Sequence, residues 1–123
     1  YVLMNIEEIT HSFLTLVGSG NVQQGFDRFT AAEFIHHNQY FEGSREALIK
    51  AMEEDHQKNP NESLKIKYSY VDGSTVILHS HVVKQEMEIA VVHIFRFQED
   101  KIVELWDLGQ VMEQNSPNEQ GLF

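Results

Sequence analysis

The chain contains no cysteine, only two prolines and no long apolar run in its 123 residues. Without cysteine there can be no disulfide scaffold and no zinc site with Cys ligands. No apolar stretch approaches the ~18 residues of a membrane span, and no N-terminal secretory signal is visible, so we expect a cytoplasmic protein. Basic residues are also few, since 9 Lys and Arg against 19 Asp and Glu give a net charge of −10. Because this charge repels phosphate groups, we expect no nucleic-acid partner and no membrane partner.

The order of the predicted elements indicates the fold class. Hydrophobic residues make up 41% of the sequence, and its length fits one domain, residues 1–123. In the first half, apolar residues recur at helical spacing, with a capping box at Asn5 and Glu8, a second helix over 21–29 and a third after Ser44. A short extended piece at 33–36 interrupts them. In the second half the period changes to two, which predicts strands over 64–70, 75–83, 87–97 and 102–110. We therefore predict an α+β fold in which helices cover a curved antiparallel sheet and enclose one pocket.

The turn between the first two long strands decides which of their side chains face the helices. If Asp72-Gly73 is a two-residue hairpin turn, His79 lies opposite Ile66. His81 then shares the face of His79, because side chains two residues apart on a strand point the same way. We therefore expect both histidines on the apolar face of this hairpin.

The last hairpin allows two registers. A two-residue turn at Glu99-Asp100 puts His93 and Asp107 on opposite faces of the sheet. A three-residue loop from 98 to 100, with Asp100 in the left-handed conformation, makes them diagonal neighbours on one face, about 7 Å apart. We favour the three-residue loop because it also turns Phe95 inward. An imidazole and a carboxylate among apolar side chains can exchange protons near neutral pH, although the same pair can also be a purely structural hydrogen bond.

Three stretches of the sequence, taken together and in order, resemble one known family. They are Phe34-Ile35-His36-His37-Asn38 with the later Gly43, Val92–Glu104 with Trp106-Asp107 and Gln110, and Asn118 with Gly121-Leu122-Phe123. These motifs resemble those of SnoaL-like proteins, the polyketide-cyclase-type members of the nuclear-transport-factor-2-like (NTF2-like) superfamily. The resemblance covers nearly the whole chain. It implies a cone in which three N-terminal helices pack into the concavity of a strongly bent sheet.

The resemblance also implies a chemistry. The characterised cyclases of the family use an Asp on the last strand as general acid/base for an intramolecular aldol closure, without metal or cofactor. Asp107 stands at that position, and His93 and Asn38 match the His and Asn that hold the substrate enolate. Where the family has a His before Trp-Asp, this chain has Leu105.

Our functional hypothesis is a cofactor-independent cyclase, aldol-type or isomerase enzyme acting on a small carbonyl compound. Asp107 would move the proton, His93 would orient the enolate oxygen and Asn38 would donate a hydrogen bond. Further substrate contacts are expected from six residues, which are His37, Tyr68, His79, His81, Phe95 and Leu105. The alternative is a binding module that holds a small hydrophobic ligand in the same pocket without catalysis.

A competing motif suggests a metal site. Gly73, His79, His81 and Glu86 fit the cupin pattern Gly-x5-His-x-His-x4-Glu, and imidazoles are good ligands for Fe, Ni or Zn. A metal held by His79, His81 and His93 is the resulting alternative. The second cupin motif is absent and the first half of the chain is helical, so we expect no metal.

The outward face of the last hairpin predicts an assembly. In the favoured register four large apolar side chains point away from the helices, namely Ile94, Ile102, Trp106 and Leu108. Monomeric proteins rarely expose such a patch, and Trp is enriched at interface hot spots. We therefore expect a homodimer through the face that carries Trp106, as the resemblance also implies. The alternative is that Leu122-Phe123 covers Trp106 within one chain.

Overall fold

The computed structural model describes residues 3–123. Helices dominate the first half of the chain and strands the second, so the predicted α+β class is confirmed. The elements are α1 (Ile6–Gly18), α2 (Val22–Phe29), β1 (Thr30–His37), α3 (Arg45–Lys58), β2 (Asn61–Asp72), β3 (Thr75–Lys84), β4 (Glu88–Gln98) and β5 (Lys101–Val111). Within the described residues, every helix is too short or too polar to cross a membrane.

The helices α1 and α3 begin where the sequence provides caps. The Asn5 side chain accepts a hydrogen bond from the Glu8 amide at 2.8 Å, and the Glu8 side chain accepts one from the Asn5 amide at 3.0 Å. At α3 the Ser44 hydroxyl accepts from the Ala47 amide at 3.1 Å. Each cap satisfies backbone donors that have no partner inside the helix, so these local residues set where α1 and α3 start.

The sheet differs from the prediction at one edge. Its strand order is β1-β5-β4-β3-β2, and β1 runs parallel to β5 whereas the other neighbours are antiparallel. The expected short piece at 33–36 is thus a full strand, Thr30–His37. Parallel pairing requires a long connection, and here α3 and three strands lie between β1 and β5. Local periodicity carries no information about a pairing of that range, which is why the sheet was expected to be antiparallel throughout.

Four phenylalanines hold the helices against the concave face of the sheet. Phe13 of α1 contacts Phe26 of α2 and Phe95 of β4 edge-on, with ring centroids 5.1 and 5.9 Å apart. Phe26 meets Phe34 of β1 in the same way at 5.4 Å. All four rings are buried. Such pairs are favourable beyond the apolar area that they remove from water.

The predicted register of the β2–β3 hairpin is wrong. Asp72 pairs with Thr75, so the turn is Gly73-Ser74, and a bulge between Ile66 and Tyr68 then changes the pairing further along the strands. Because a bulge adds one residue to a strand, it reverses the face on which later side chains lie. The even-numbered residues of β3 are buried against the helices, while His79 and His81 lie on the opposite, outer face. The expectation that both histidines face the apolar interior is therefore wrong.

The predicted three-residue loop of the last hairpin is also wrong. His93 and Asp107 nevertheless lie on one face of the sheet, as expected. The turn is the two-residue Glu99-Asp100, and the left-handed residue is Glu99, with φ 55°. A bulge at Val103 then shifts the register by one residue, so that His93 pairs directly with Asp107. The two side chains share the inner face as cross-strand partners rather than as diagonal neighbours.

The same bulge changes the outer patch. Ile102 was expected on the outer face, but it is fully buried in the core opposite Phe97. Val103, the extra residue, is buried as well. The outer face of this hairpin therefore retains Ile94, Trp106 and Leu108 but not Ile102.

Candidate functional site

The concave side of the sheet is only partly filled by the phenylalanine core, and the rest of it forms a cavity of about 820 Å³. This volume lies within the range of small-molecule sites. α1 and α3, the loop that follows β1, and strands β2 to β5 supply the walls. Most of the lining is apolar, including Leu14, Leu48, Met52, Val91, Phe95 and Leu105. Polar side chains are confined to a few places, so each of them has a defined chemical setting.

Three polar side chains meet in one part of this cavity. His93 Nε2 lies 3.5 Å from Asp107 Oδ1. The other carboxylate oxygen, Oδ2, accepts a hydrogen bond from Asn38 Nδ2 at 3.0 Å. The side chain of Asp107 is 31% exposed and that of His93 14%. One carboxylate oxygen is therefore fixed by a hydrogen bond, the other faces the imidazole, and the group is still accessible from the cavity.

Asn38 reaches Asp107 because β1 pairs with β5. His37, the last residue of β1, is the partner of Trp106, so the next residue of each strand lies side by side. The Asn38 Oδ1 atom accepts a hydrogen bond from the Tyr40 amide at 2.8 Å, as in an Asx turn. This contact orients the amide group, so its nitrogen points at the carboxylate.

Burial determines the protonation of His93. Loss of solvation lowers the pKa of the imidazole below its ordinary value, and the nearby charge of Asp107 offsets this effect only in part. Burial therefore favours the neutral ring. Its Nδ1 atom is buried and has no hydrogen-bond partner among residues 3–123. A neutral ring has one donor and one acceptor nitrogen, and a proton on Nε2 is the arrangement that suits a carboxylate at that side.

Three residues expected in the pocket lie elsewhere. Tyr68, His79 and His81 are on the outer face of the sheet, outside the cavity lining. The Phe123 ring packs against both imidazoles there, at centroid distances of 4.9 Å from His79 and 5.2 Å from His81. His81 also donates to Glu88 at 2.7 Å. These contacts are structural and involve no part of the cavity.

The positions of these histidines also exclude the alternative metal site. His93 lies on the inner face and His79 and His81 on the outer face, so the three imidazoles cannot meet at one ion. Across residues 3–123, nowhere do three or more His, Cys, Asp or Glu side chains stand close enough together to hold a metal.

His37 reaches only the rim of the cavity. Its ring stacks on Trp106 with centroids 4.8 Å apart and planes within 9° of parallel. Its Nε2 lies 2.6 Å from Glu104 Oε2, while Arg96 Nε donates to the other oxygen at 2.8 Å. The hydrogen bond from His37 holds the pKa of Glu104 below its usual range, and the Arg96 guanidinium adds to this effect. His37 is thus part of an outer-face network, whereas Phe95 and Leu105 do line the cavity.

Sequence reasoning missed a second polar group in the cavity. Lys84, at the end of β3, is only 8% exposed and lines the cavity together with Asn61 and Asp55. One signal in the sequence could have revealed it. The alternation of Leu78, Ser80 and Val82 on the buried face continues to position 84, so a lysine there must point inward.

A family model described as SnoaL-like polyketide cyclase matches residues 9–116, whereas no curated protein matches the chain.

Solved structures with a similar fold are numerous. An NTF2-like protein of unknown function from Cytophaga hutchinsonii is 14% identical, with TM-score 0.72 over 89% of this chain and 93% of that one. A SnoaL-like polyketide cyclase from Agrobacterium tumefaciens is 10% identical, with TM-score 0.73 over 88% and 93%. An LEH-like epoxide hydrolase from M. tuberculosis is 14% identical, with TM-score 0.67 over 85% and 82%. At such identities the likeness shows the fold alone.

Proposed function

The chain belongs to the SnoaL-like polyketide cyclase family, and from this premise we propose that it is an enzyme that moves a proton on a small carbonyl compound. The reaction would be of the cyclase, aldol or isomerase type, with Asp107 as general acid/base. One observation carries the proposal. The Asp107 carboxylate is held by the Asn38 amide at 3.0 Å and faces the His93 imidazole at 3.5 Å, in a largely apolar cavity.

In the proposed mechanism Asp107 removes a proton from the carbon next to the substrate carbonyl, which leaves an enolate. The enolate carbon then attacks a second carbonyl of the same molecule, forming one C–C bond and an alkoxide. Asp107 returns its proton to the alkoxide oxygen, so no oxidant, reductant or cofactor is consumed. An isomerase would return the proton to a different carbon. Either route needs the carboxylate within hydrogen-bond reach of the proton that it takes.

The two neighbours of Asp107 support its role as the base. A protonated His93 would stabilise the carboxylate anion and weaken it as a base, and burial opposes that protonation. Asn38 has a second N–H on its Nδ2 atom besides the one bonded to Asp107. That N–H can donate to the enolate oxygen, where negative charge develops during the reaction.

The proposal is tested by proton exchange, because the natural substrate is unidentified. The acetyl protons of 4-acetylbiphenyl exchange slowly with neutral D₂O, and NMR follows the loss of their signal. The protein should accelerate this loss, and Asp107→Asn should reduce the acceleration by about 10²-fold, the low end of general-base effects. The turn variant Asp100→Asn is the matched control and should exchange like the wild type. Equal rates in buffer, wild type and Asp107→Asn would contradict the proposal.

A non-catalytic binding module is the second candidate. It is favoured by the fact that both oxygens of Asp107 already face partners within the protein, Asn38 and His93. Under this alternative Asp107 only orients a hydrophobic ligand. The expected result is then saturable binding of 4-acetylbiphenyl in the absence of exchange.

A further inference from the structure

A buried ammonium group lies in the cavity wall far from Asp107. Lys84 is 8% exposed, and its Nζ donates to Asp55 Oδ2 at 3.0 Å and to the Asn59 carbonyl at 2.7 Å. An ammonium has three N–H donors, so one remains after these two contacts. Because Lys84 lines the cavity, the third donor is available to a ligand.

An unused acceptor lies beside this donor. Asn61 is the cross-strand partner of Lys84 and lines the same part of the cavity. Its Nδ2 donates to the Gly18 carbonyl at 2.9 Å, which fixes the orientation of the amide. Its Oδ1 is buried and has no hydrogen-bond partner among residues 3–123. Leaving a buried acceptor unpaired is costly, so a ligand that donates to it would be favoured.

The charges around Lys84 disfavour an anionic ligand. Asp55 already neutralises the ammonium at 3.0 Å. The side chain of Asp55 is 58% exposed, and an ion pair open to water on one side contributes little to stability. A neutral group that both accepts from Lys84 and donates to Asn61 fits better than a carboxylate.

We propose that Lys84 and Asn61 form a second polar subsite that binds a hydroxyl group of the substrate. A hydroxyl is the simplest neutral group that accepts and donates at the same time. His93 pairs with Leu78 of β3, six residues before Lys84, which is about 20 Å along a flat strand. The curvature of the sheet and the reach of the side chains shorten this gap. If the proposed function holds, the substrate is an elongated carbonyl compound with a hydroxyl at the end far from the carbonyl group.

The test uses rigid rods that differ at one end. The probes are 4-acetyl-4′-hydroxybiphenyl, 4-acetyl-4′-methylbiphenyl and 4-acetyl-4′-carboxybiphenyl, with dissociation constants measured by calorimetry at pH 7. The wild type should bind the hydroxyl rod at least about tenfold more tightly than the methyl rod, the size expected of a hydrogen bond to a charged group. Lys84→Met should abolish this preference, and the exposed-helix variant Lys50→Met should keep it.

A second variant avoids any change in the buried lysine. Asp55→Asn keeps the size of the side chain and removes the charge that neutralises the ammonium, and urea unfolding checks that the variant is still folded, because an unpaired buried charge is destabilising. The preference should then move toward the carboxylate rod by about tenfold relative to the wild type. If the wild type binds no rod or does not discriminate between hydroxyl and methyl, or if Asp55→Asn leaves the carboxylate affinity unchanged, the subsite is refuted. A hydroxyl preference without acetyl-proton exchange would instead refute the proposed catalysis alone.

Discussion

At the scale of single residues, the protonation of His93 links the cavity to pH. The folded state lowers the pKa of this imidazole, mainly through burial. An unfolded chain restores it to about 6.5. Between the folded pKa and the unfolded one, the unfolded state therefore binds more protons. Stability then rises with pH through this window and is lost as the pH falls below about 6.5.

This linkage gives a prediction for urea unfolding. The wild type should lose stability between pH 7 and pH 5.5, with a contribution from His93 of at most about 1.4 kcal/mol per pH unit. In His93→Gln that contribution should disappear, so its curve should be flatter. His79→Gln on the outer face is the control and should keep the wild-type slope. A His93→Gln slope equal to that of the wild type would show that burial of this ring does not control its protonation.

At the scale of elements, a close contact joins the loop between α1 and α2 to α3. Gly20 has φ +97°, and a Cβ atom built there would lie 2.4 Å from His56 Nε2. Gly73 also has a positive φ, +60°, but this lies in the left-handed minimum and the space around it is open. Gly73 therefore shows the cost of backbone strain with no steric conflict.

The comparison of these glycines is a testable prediction. Gly73→Ala should cost about 1 kcal/mol from strain alone. Gly20→Ala should cost more, because its φ of +97° lies outside the left-handed minimum and because His56 must also move. His56→Ala in the same chain should recover only the part that is due to the imidazole. Urea unfolding of the three variants measures this. Equal losses of unfolding free energy in Gly20→Ala and Gly73→Ala would contradict this prediction, because the His56 imidazole would then move at no cost.

The strands show what could be predicted from sequence and what could not. Alternation located β2 to β5 to within a few residues, since a half-buried strand imposes that period. Bulges have no such local signal, and the register shifts twice in the β2–β3 hairpin and once in the β4–β5 hairpin. His93 and Asp107 were placed on one face because two errors compensated, namely a loop one residue too long and the missed bulge at Val103. At Ile66 no second error compensated, and His79 was assigned to the wrong face.

Asn38, the third residue of the site, was predicted from a different kind of evidence. Asn38 meets Asp107 through the parallel pairing of β1 with β5, which no pattern along the chain reveals. Its match to a family motif suggested it instead. Lys84 was missed for the opposite reason. Its position was readable from the alternation of β3, but a lysine was not expected inside.

At the scale of the whole molecule, the outer sheet face remains the basis for assembly. We propose a homodimer through this face. Leu108 is 56% exposed, and Trp106 and Ile94 are partly exposed beside it. Of the alternative cover, Leu122-Phe123, the Phe123 ring packs on His79 and His81 of β3.

The variant Trp106→Glu tests this proposal. A new charge at position 106 would have to lose its solvation in the interface, so the variant should be a folded monomer by light scattering. Tyr40→Glu, on an exposed loop at the cavity rim, should leave the dimer intact. A wild type that is already monomeric at micromolar concentration, or a Trp106→Glu protein that stays dimeric, would exclude this face.

The two hydrogen bonds of Asn38 have a consequence for how such a site can diverge. One end of the amide holds the backbone of the rim loop at Tyr40, and the other holds the Asp107 carboxylate. Under the proposed function the loop borders the cavity and the carboxylate transfers the proton. Because one side chain joins both, a change in the conformation of the loop also changes how the carboxylate is held. A loop transplanted from a relative would need an asparagine at position 38 to keep the hydrogen bond to Asp107.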